Sequence, residues 1–192
     1  MRILIVCLVA TLLAVFPKSS LAAPSRDYTK VKAVAQLLAP HESEIEEYAF
    51  WINNYSKKYN LDPYLILAII KVESDFNQRA ISSTGDYSLA QINYKVWKKE
   101  LARKGVKLNF YKLKTNYAYA LETMGYILKT LHDTYGKKDP KWYARYHSNT
   151  SKHKLAYYKR VNTQLTKIYT LQNLKPKTNK KLKNLSLIAE NK

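Results

Sequence analysis

The chain of 192 residues contains 33 Lys and Arg against 14 Asp and Glu, a formal net charge of +19, and 46% of its residues are hydrophobic. This length and composition suit one globular domain with a sizeable core, plus appendages. Only 4 glycines are present, which argues against a turn-dense β fold and favours an all-α fold. The charge excess predicts an anionic partner or surface.

Residues 1–23 have the organisation of a signal peptide. Arg2 precedes an apolar run over 3–16, and the segment ends in small residues that suit a signal peptidase. The apolar run is shorter than a usual membrane span, so cleavage after Ala22 or Ala23 is favoured over an uncleaved N-terminal anchor. Either way, the rest of the chain is expected to leave the cytoplasm, with a net charge of +17 once the two basic residues of this segment are removed.

The single cysteine, Cys7, lies within this segment, so the mature chain would have no disulfide and no Cys-based metal site. Nucleic acid is the usual partner of so basic a chain, but an exported protein meets an anionic cell wall or lipid headgroups instead. A nucleic-acid-binding protein, suggested by the charge alone, stays an alternative that a salt-dependent DNA-binding assay would test.

The helical signals begin after a mixed, polar segment over 24–41, which we expect to be a peripheral N-terminal extension. Residues 43–59 carry acids in the first turns and lysines in the last, as the helix dipole favours. Asp62 and Pro63 then offer an N-cap and a first residue for a helix that runs to about Glu73.

Three further helices are predicted from apolar residues at helical spacing and from capping residues. They cover 88–100 with Ser88 as its cap, 116–131 with Thr115 as its cap, and 152–171. A further cap-plus-proline pair, Asp139-Pro140, opens the stretch over 142–147. The basic stretch 173–192 is predicted to be a disordered tail. The sequence therefore predicts one all-α domain over 42–172.

Glu73 ends an apolar helix on the same face as Ile66, Ile69 and Ile70. A carboxyl group there is partly desolvated, which raises its pKa and favours a protonated acid near neutral pH. Such an acid can give its proton to the leaving oxygen of a glycosidic bond. From the helix alone the alternative stays open that Glu73 faces solvent or pairs with a nearby base such as Lys71.

Three motifs follow one another from Glu73 onward. They read Glu73-Ser-Asp-Phe-Asn77, then Ser82-Ser-Thr-Gly-Asp-Tyr-Ser-Leu-Ala-Gln91 with Ile92-Asn93, then Ala144-Arg-Tyr-His-Ser148 with Tyr157-Tyr-Lys-Arg-Val161. Together they resemble the soluble lytic transglycosylase family, whose members are lysozyme-like peptidoglycan lyases. The resemblance implies a lysozyme-like all-α fold, peptidoglycan strands as the partner and no cofactor.

The resemblance also implies the roles of single residues. Glu73 would be the single acid and base that cleaves the MurNAc-GlcNAc bond and leaves a 1,6-anhydro-MurNAc end without water. The implied substrate-binding residues are Ser74, Ser82, Gln91, Asn93 and Tyr146. Of these, Ser82 would hold the acetamido group and Ser74 would keep the shape of the site. The protein would be periplasmic or associated with the cell wall, where its charge favours peripheral contact with an anionic wall or membrane surface.

The second motif ends in Gln91-Ile-Asn93 and the third contains Tyr146-His-Ser148. Both features resemble the small single-domain members of the family that accompany secretion or pilus machines. Ser88 stands in place of a motif glycine, Ala90 in place of a methionine, and His147 where Asn is frequent. Ser88 could narrow the groove or shift its loop, and Ala90 could widen a subsite. Ser88 and Ala90 support the alternative of a non-catalytic peptidoglycan-binding module. The retained motif residues argue against it: Glu73, Ser82, Gln91 and Tyr146.

A lysozyme-like muramidase, a hydrolase, is the nearest alternative activity. It would need a second carboxylate within about 5–10 Å of Glu73. Asp75 and Asp86 are the candidates: Asp75 faces elsewhere if the helix persists, and Asp86 lies in the motif loop and could reach. The histidines show no metal-ligand spacing, so no metal site is predicted.

Overall fold

The structure is a computed structural model that describes residues 26–173. Its helices are α1 (Arg26–Leu38), α2 (Ile45–Tyr59), α3 (Pro63–Glu73), α4 (Tyr94–Ala102), α5 (Phe110–Thr115), α6 (Tyr117–Tyr135) and α7 (Ser151–Asn173), with a 3-10 helix over Trp142–Tyr146. Two short antiparallel strands, β1 (Asp86–Tyr87) and β2 (Ile92–Asn93), form a hairpin before α4. The all-α fold is confirmed.

The predicted signal peptide over 1–23 lies outside the described residues, and so does the predicted tail from residue 174 onward. Between residues 26 and 173, no helix combines the length and the apolar character that crossing a membrane requires.

Helix α3 lies at the centre of the core. Leu67, Ile69 and Ile70 are fully buried, and α3 packs against α1, α2 and α7. Burial of one such side chain contributes about 1.5–3 kcal/mol to stability. The helix begins as predicted, because the Asp62 carboxylate accepts a hydrogen bond of 2.8 Å from the Tyr64 N–H and proline occupies the first turn. Its central place fixes where Glu73, its last residue, can lie.

The prediction of a peripheral extension over 24–41 is wrong for the part that forms α1. Val31, Val34 and Ala35 are at most 3% exposed, and α1 packs along α2. Their spacing of three and four residues places them on one helix face, which the mixed polar composition of the segment obscured. Helix α1 therefore belongs to the same core as the rest of the described chain.

The prediction of a helix over 88–100 is wrong at its start. Ser88 and Gln91 have positive φ angles of 69° and 45°, which an α-helix does not allow. The cap of α4 is Asn93, whose side-chain oxygen accepts a hydrogen bond of 3.1 Å from the Val96 N–H. The residues before Asn93 therefore form a tight turn within the hairpin rather than a helical turn.

Asparagine also caps the next two helices. Asn109 accepts from the Lys112 N–H at 2.9 Å and so begins α5, a helix that the sequence did not predict. Asn116 accepts from the Tyr119 N–H at 2.8 Å and begins α6, so the predicted Thr115 cap is wrong. Both α6 and α7 extend beyond their predicted ends.

Candidate active site

A cleft of about 860 Å³ opens at the C-terminal end of α3. Its walls come from five further elements: the hairpin, α4, the end of α6, the 3-10 helix and α7. Glu73, Ser82, Gln91, Asn93 and Tyr146 all line it, so the structure brings these sequence-predicted residues to one site. The volume lies within the usual range for ligand-binding clefts.

The Glu73 carboxyl group has a pKa that lies well above the ordinary value of a glutamic acid. Burial at the end of α3 raises its pKa to about 7, and the negative charge of Asp86 acts in the same direction. The Tyr157 hydroxyl and the Arg160 guanidinium oppose this rise, because both favour the carboxylate. Near neutral pH both forms of Glu73 are therefore populated, which general acid–base chemistry requires.

The nearest lysine on the same helix is not the partner of Glu73. Lys71 donates a 2.9 Å hydrogen bond to the Leu38 carbonyl and forms an ion pair with Asp75. Asp75 is exposed and does not line the cleft. The helix does not persist to this residue, as the prediction had assumed, because α3 ends at Glu73 and Asp75 has a positive φ of 53°. Lys71 is therefore occupied elsewhere, and the groups that act on the Glu73 carboxyl group are those of the cleft and of α7.

Tyr157 provides a hydroxyl group near Glu73 that the sequence did not assign to the site. Its side chain is fully buried on α7, where this helix packs against α3. The hydroxyl makes no hydrogen bond of normal geometry within residues 26–173, yet it lies near enough to Glu73 to favour the carboxylate. Since the contact joins two helices distant in sequence, the only sequence signal was the Y-Y-x-x-V motif.

The hairpin holds the second carboxylate of the cleft, Asp86, in a set of hydrogen bonds. Its carboxylate accepts from the Ser82 hydroxyl at 2.6 Å, the Thr84 hydroxyl at 2.6 Å and the Asn93 amide at 2.8 Å. Ser82 in turn accepts from the Asp86 N–H at 3.0 Å. Ser82 and Asn93 therefore fix the hairpin while they line the cleft.

The tight turn before β2 is fixed by the amide nitrogen of Gln91. This nitrogen donates to the Ala80 carbonyl at 3.1 Å and to the Ser88 carbonyl at 2.9 Å. A side-chain amide has two N–H donors and one carbonyl oxygen, so both donors are used within the protein. Only the amide oxygen of Gln91 can serve a ligand in the cleft.

Two further side chains hold the carbonyl groups of the same turn. The Tyr146 hydroxyl, buried in the cleft wall, donates to the Ala90 carbonyl at 2.6 Å. The Ser74 hydroxyl donates to the Leu89 carbonyl at 2.7 Å from the other side. Ser74 does not line the cleft, so its contacts join α3 to the turn rather than reach a ligand.

Two of the departures from the family motif, Ser88 and Ala90, lie beneath the cleft surface. Ser88 is 2% exposed and Ala90 is fully buried, and neither lines the cleft. Neither side chain therefore contacts a ligand in the cleft directly, and an effect on the groove would have to act through the turn that they support. The positive φ of Ser88 explains a glycine at this position, since glycine adopts that conformation without strain.

The 3-10 helix that carries Tyr146 is tied to α7 by Asp139. Its carboxylate accepts from Lys154 at 3.0 Å, from Arg145 at 3.2 Å and from the Lys141 N–H at 2.9 Å. These donors hold the pKa of Asp139 below its ordinary value, with the backbone hydrogen bond as the largest cause. The carboxylate thus fixes the segment that closes one side of the cleft.

The chain matches the family described as Transglycosylase SLT domain over residues 50–168, which is more than half of its length. It belongs to this family. Members of the SLT transglycosylase family are lytic transglycosylases that act on peptidoglycan, and their fold is the lysozyme-like all-α fold. The resemblance seen in the three motifs is therefore confirmed, and the matched range includes the whole wall of the cleft, from Val72 to Arg160.

The cleft of this SLT domain is also lined by two histidines, His147 and His153. Across residues 26–173, no three His, Cys, Asp or Glu side chains are grouped so that they could hold a metal ion.

Proposed function

We propose that this protein is a peptidoglycan lytic transglycosylase that cleaves the β-1,4 bond between MurNAc and GlcNAc and leaves 1,6-anhydro-MurNAc ends. The supporting observation is the Glu73 carboxyl group, which has a pKa of about 7 and lines a cleft of oligosaccharide size. One group that exchanges its proton near neutral pH can act first as acid and then as base. Family membership supports the same class of reaction.

In the proposed reaction, protonated Glu73 gives its proton to the bridging oxygen while the bond from that oxygen to C1 of MurNAc breaks. The carbonyl oxygen of the sugar's own N-acetyl group bonds to C1 in place of the leaving oxygen. Glu73, now a carboxylate, takes the proton of the C6 hydroxyl, and the C6 oxygen bonds to C1 as the acetamido oxygen departs. Glu73 ends protonated, and no water is consumed.

The hydrogen bonds within the cleft limit what its other side chains can offer a sugar. The Ser82 proton goes to Asp86, so the Ser82 oxygen is left to accept from the acetamido N–H. The Tyr146 proton goes to Ala90, so Tyr146 can likewise only accept. The amide oxygen of Gln91 is a third acceptor. Three acceptors around a protonated acid suit the hydroxyl and N–H groups of an N-acetylated sugar.

Hydrolysis is the second candidate, because Asp86 lines the same cleft and its charge acts on Glu73. A hydrolase would use this carboxylate as a nucleophile or to activate water. Both oxygens of Asp86 already accept hydrogen bonds from Ser82, Thr84 and Asn93, which lowers their ability to attack. We therefore favour the reaction with a single carboxyl group.

The decisive experiment is digestion of purified peptidoglycan with analysis of the products by mass spectrometry. We expect wild type to release muropeptides with anhydro ends, one water lighter than reducing ends, and Glu73→Gln to release none. Asp86→Asn should retain anhydro products at a reduced rate, because Asn keeps part of the hairpin hydrogen bonding. Reducing-end products that disappear in Asp86→Asn would establish a hydrolase. Bound sacculi without any products would establish a binding module.

In our proposal the protein acts in the periplasm or at the cell wall. The signal peptide over 1–23 directs its export and is then cleaved. There the enzyme would open glycan strands locally for a secretion or pilus apparatus, and its positive charge would favour the anionic wall or membrane surface. The intact mass of the exported protein tests the cleavage after Ala22 or Ala23. Retention of the full mass in a membrane fraction would favour the anchor instead.

A further inference from the structure

We propose that Arg160, together with His147, forms a carboxylate-binding subsite beside Glu73, through which the cleft selects glycan strands whose muramic acid carries a free carboxylate. This inference rests on the proposed function, since it names the substrate feature that the same cleft recognises. It assigns Arg160 a role in specificity rather than in the chemical step.

Arg160 is placed to meet a ligand next to the acid. It lies on α7, one turn beyond Tyr157, it lines the cleft, and its side chain is exposed. The guanidinium carbon is 5.5 Å from the centroid of the Tyr157 ring, a contact that limits the conformations of the side chain. Its charge also acts on Glu73, so the two groups share one region of the cleft.

The charges of the cleft leave Arg160 without a carboxylate of its own. Glu100 pairs with Arg103 at 2.7 Å, and Arg145 pairs with Asp139 at 3.2 Å. Within the part of the chain that the structure describes, Arg160 makes no ion pair. An unpaired guanidinium in a cleft is suited to bind a carboxylate through two parallel N–H bonds.

His147 completes the subsite as a neutral donor. Its ring stacks on Tyr157 with the centroids 4.7 Å apart and an angle of 6° between the planes. Burial lowers its pKa, and the positive charge of Arg160 and of His153 acts in the same direction. The imidazole is therefore neutral near pH 7 and can donate one N–H without adding charge. Tyr157 thus aligns a cation and a hydrogen-bond donor around the same ring.

Muramic acid carries the matching chemistry on the sugar whose C1 bond is cleaved. In a peptide-free strand its lactyl group ends in a free carboxylate. In a peptide-bearing strand that group is an amide, and the free carboxylates lie farther away on the stem peptide. The lactyl group and the stem peptide can both offer a carboxylate. Arg160 lies close enough to Glu73 for its charge to act there, and the lactyl group belongs to the sugar that is cleaved beside Glu73, so the lactyl carboxylate is favoured. Chitin oligosaccharides have the same backbone and no carboxylate.

Binding measurements with a Glu73→Gln variant, which separates affinity from turnover, test this subsite. The ligands are peptide-free strands, strands with stem peptides, and chitohexaose. Adding Arg160→Gln should weaken binding of peptide-free strands about tenfold, the effect of losing one charge-assisted contact, and leave chitohexaose unchanged. Arg160→Lys should recover part of the loss. Lys159→Gln is the matched control, since it removes the same charge from an exposed neighbour that does not line the cleft.

Equal losses for chitohexaose and peptide-free strands, or no loss for any strand, would overturn the subsite. A loss confined to peptide-bearing strands would overturn the selection of the lactyl carboxylate and would assign the ligand of Arg160 to the stem peptide. A loss with Lys159→Gln as large as that with Arg160→Gln would also overturn it, because net charge alone would then explain the effect. The subsite is tested by binding affinity in the absence of turnover. The proposed reaction is tested by the end groups of the digestion products. Failure of one can therefore be told from failure of the other.

Discussion

Burial of the Glu73 carboxyl group couples the stability of the fold to pH. Its pKa is about 7 in the folded protein against 4.5 for an ordinary glutamic acid, so between these values the folded chain binds more protons than the unfolded chain. The free energy of unfolding therefore falls as pH rises across this interval. Glu73→Gln, which stays neutral, should raise it by about 3 kcal/mol at pH 8 and change little at pH 4.

Thermal unfolding of wild type and Glu73→Gln at both pH values measures this difference. Glu100→Gln is the control, because Glu100 lines the same cleft but is exposed and paired with Arg103. It should shift the melting temperature only slightly at either pH. A Glu73→Gln protein that melts no higher than wild type at pH 8 would contradict the raised pKa.

The Tyr157 hydroxyl should set the pH at which activity declines. The first proton transfer needs protonated Glu73, so activity should fall above about pH 7. Tyr157→Phe removes a hydroxyl that favours the carboxylate, so the pKa of Glu73 should rise and the decline should move to higher pH by about 0.5–1 unit. The pH profile of kcat/KM on soluble glycan strands measures the shift.

Tyr158→Phe is the control for this profile. Tyr158 follows Tyr157 on α7 and stacks on Tyr143, outside the cleft. Its loss should leave the alkaline decline in place, even if stability changes. A profile that moves equally in both variants, or to lower pH in Tyr157→Phe, would contradict the role of the Tyr157 hydroxyl.

At the scale of elements, the Asp139 carboxylate should decide how firmly the 3-10 helix is held. It connects Arg145 on that helix with Lys154 on α7 and caps the intervening turn. Asp139→Asn keeps one acceptor for the Lys141 N–H and loses both ion pairs. We expect a loss of about 1 kcal/mol in the free energy of unfolding at low salt. Because Tyr146 sits on the same helix, KM for glycan strands should rise as well.

Denaturant unfolding at low and high salt, with parallel kinetics, measures both effects. Since the pKa of Asp139 is lowered in the folded protein, its contribution should be present above pH 4 and be lost as pH falls below its folded pKa. Asp133→Asn breaks a comparable ion pair with Lys129 within α6 and serves as the control. It should leave KM unchanged. An unchanged KM in Asp139→Asn would show that the ion pairs of Asp139 do not affect substrate binding in the cleft.

The elements that the sequence predicted are those fixed by local interactions. Helix α3 was predicted at both ends, because Asp62 and Pro63 act within the first turn and the apolar run is continuous. The start of α4 was not predicted. Ser88 and Asn93 are both good caps, and the choice between them depends on contacts of the turn with Tyr146 and Ser74, far away in sequence.

At the scale of the molecule, the sequence located the acid but not its surroundings. Glu73 could be predicted because its helix face is local and its motif is continuous. The positions of Tyr157 and Arg160 beside it could not, because they depend on how α7 packs against α3. The place of α1 in the core was not predicted for the same reason, because its apolar face becomes buried only where α1 packs along α2.

The last prediction concerns how the whole charge of the molecule acts on the wall. Residues 174–192 contain six Lys and one Glu, so their deletion removes five net positive charges. We expect the truncated protein to bind purified sacculi several-fold more weakly at low salt. The difference should vanish near 1 M salt, where the Debye length is about 3 Å. Cleavage of short soluble strands should not change, because every described residue of the cleft is retained.

A tail of the same length with its six lysines replaced by glutamine separates charge from length. If charge is the cause, this variant should bind sacculi as weakly as the truncated protein and show the same loss of salt dependence. Sedimentation of sacculi over a salt series measures both quantities. Wild-type affinity in the glutamine variant would show that the length or the uncharged residues of the tail, not its charge, cause the effect. An unchanged affinity after truncation would show that the positive charge of the rest of the protein is enough to hold it on the wall.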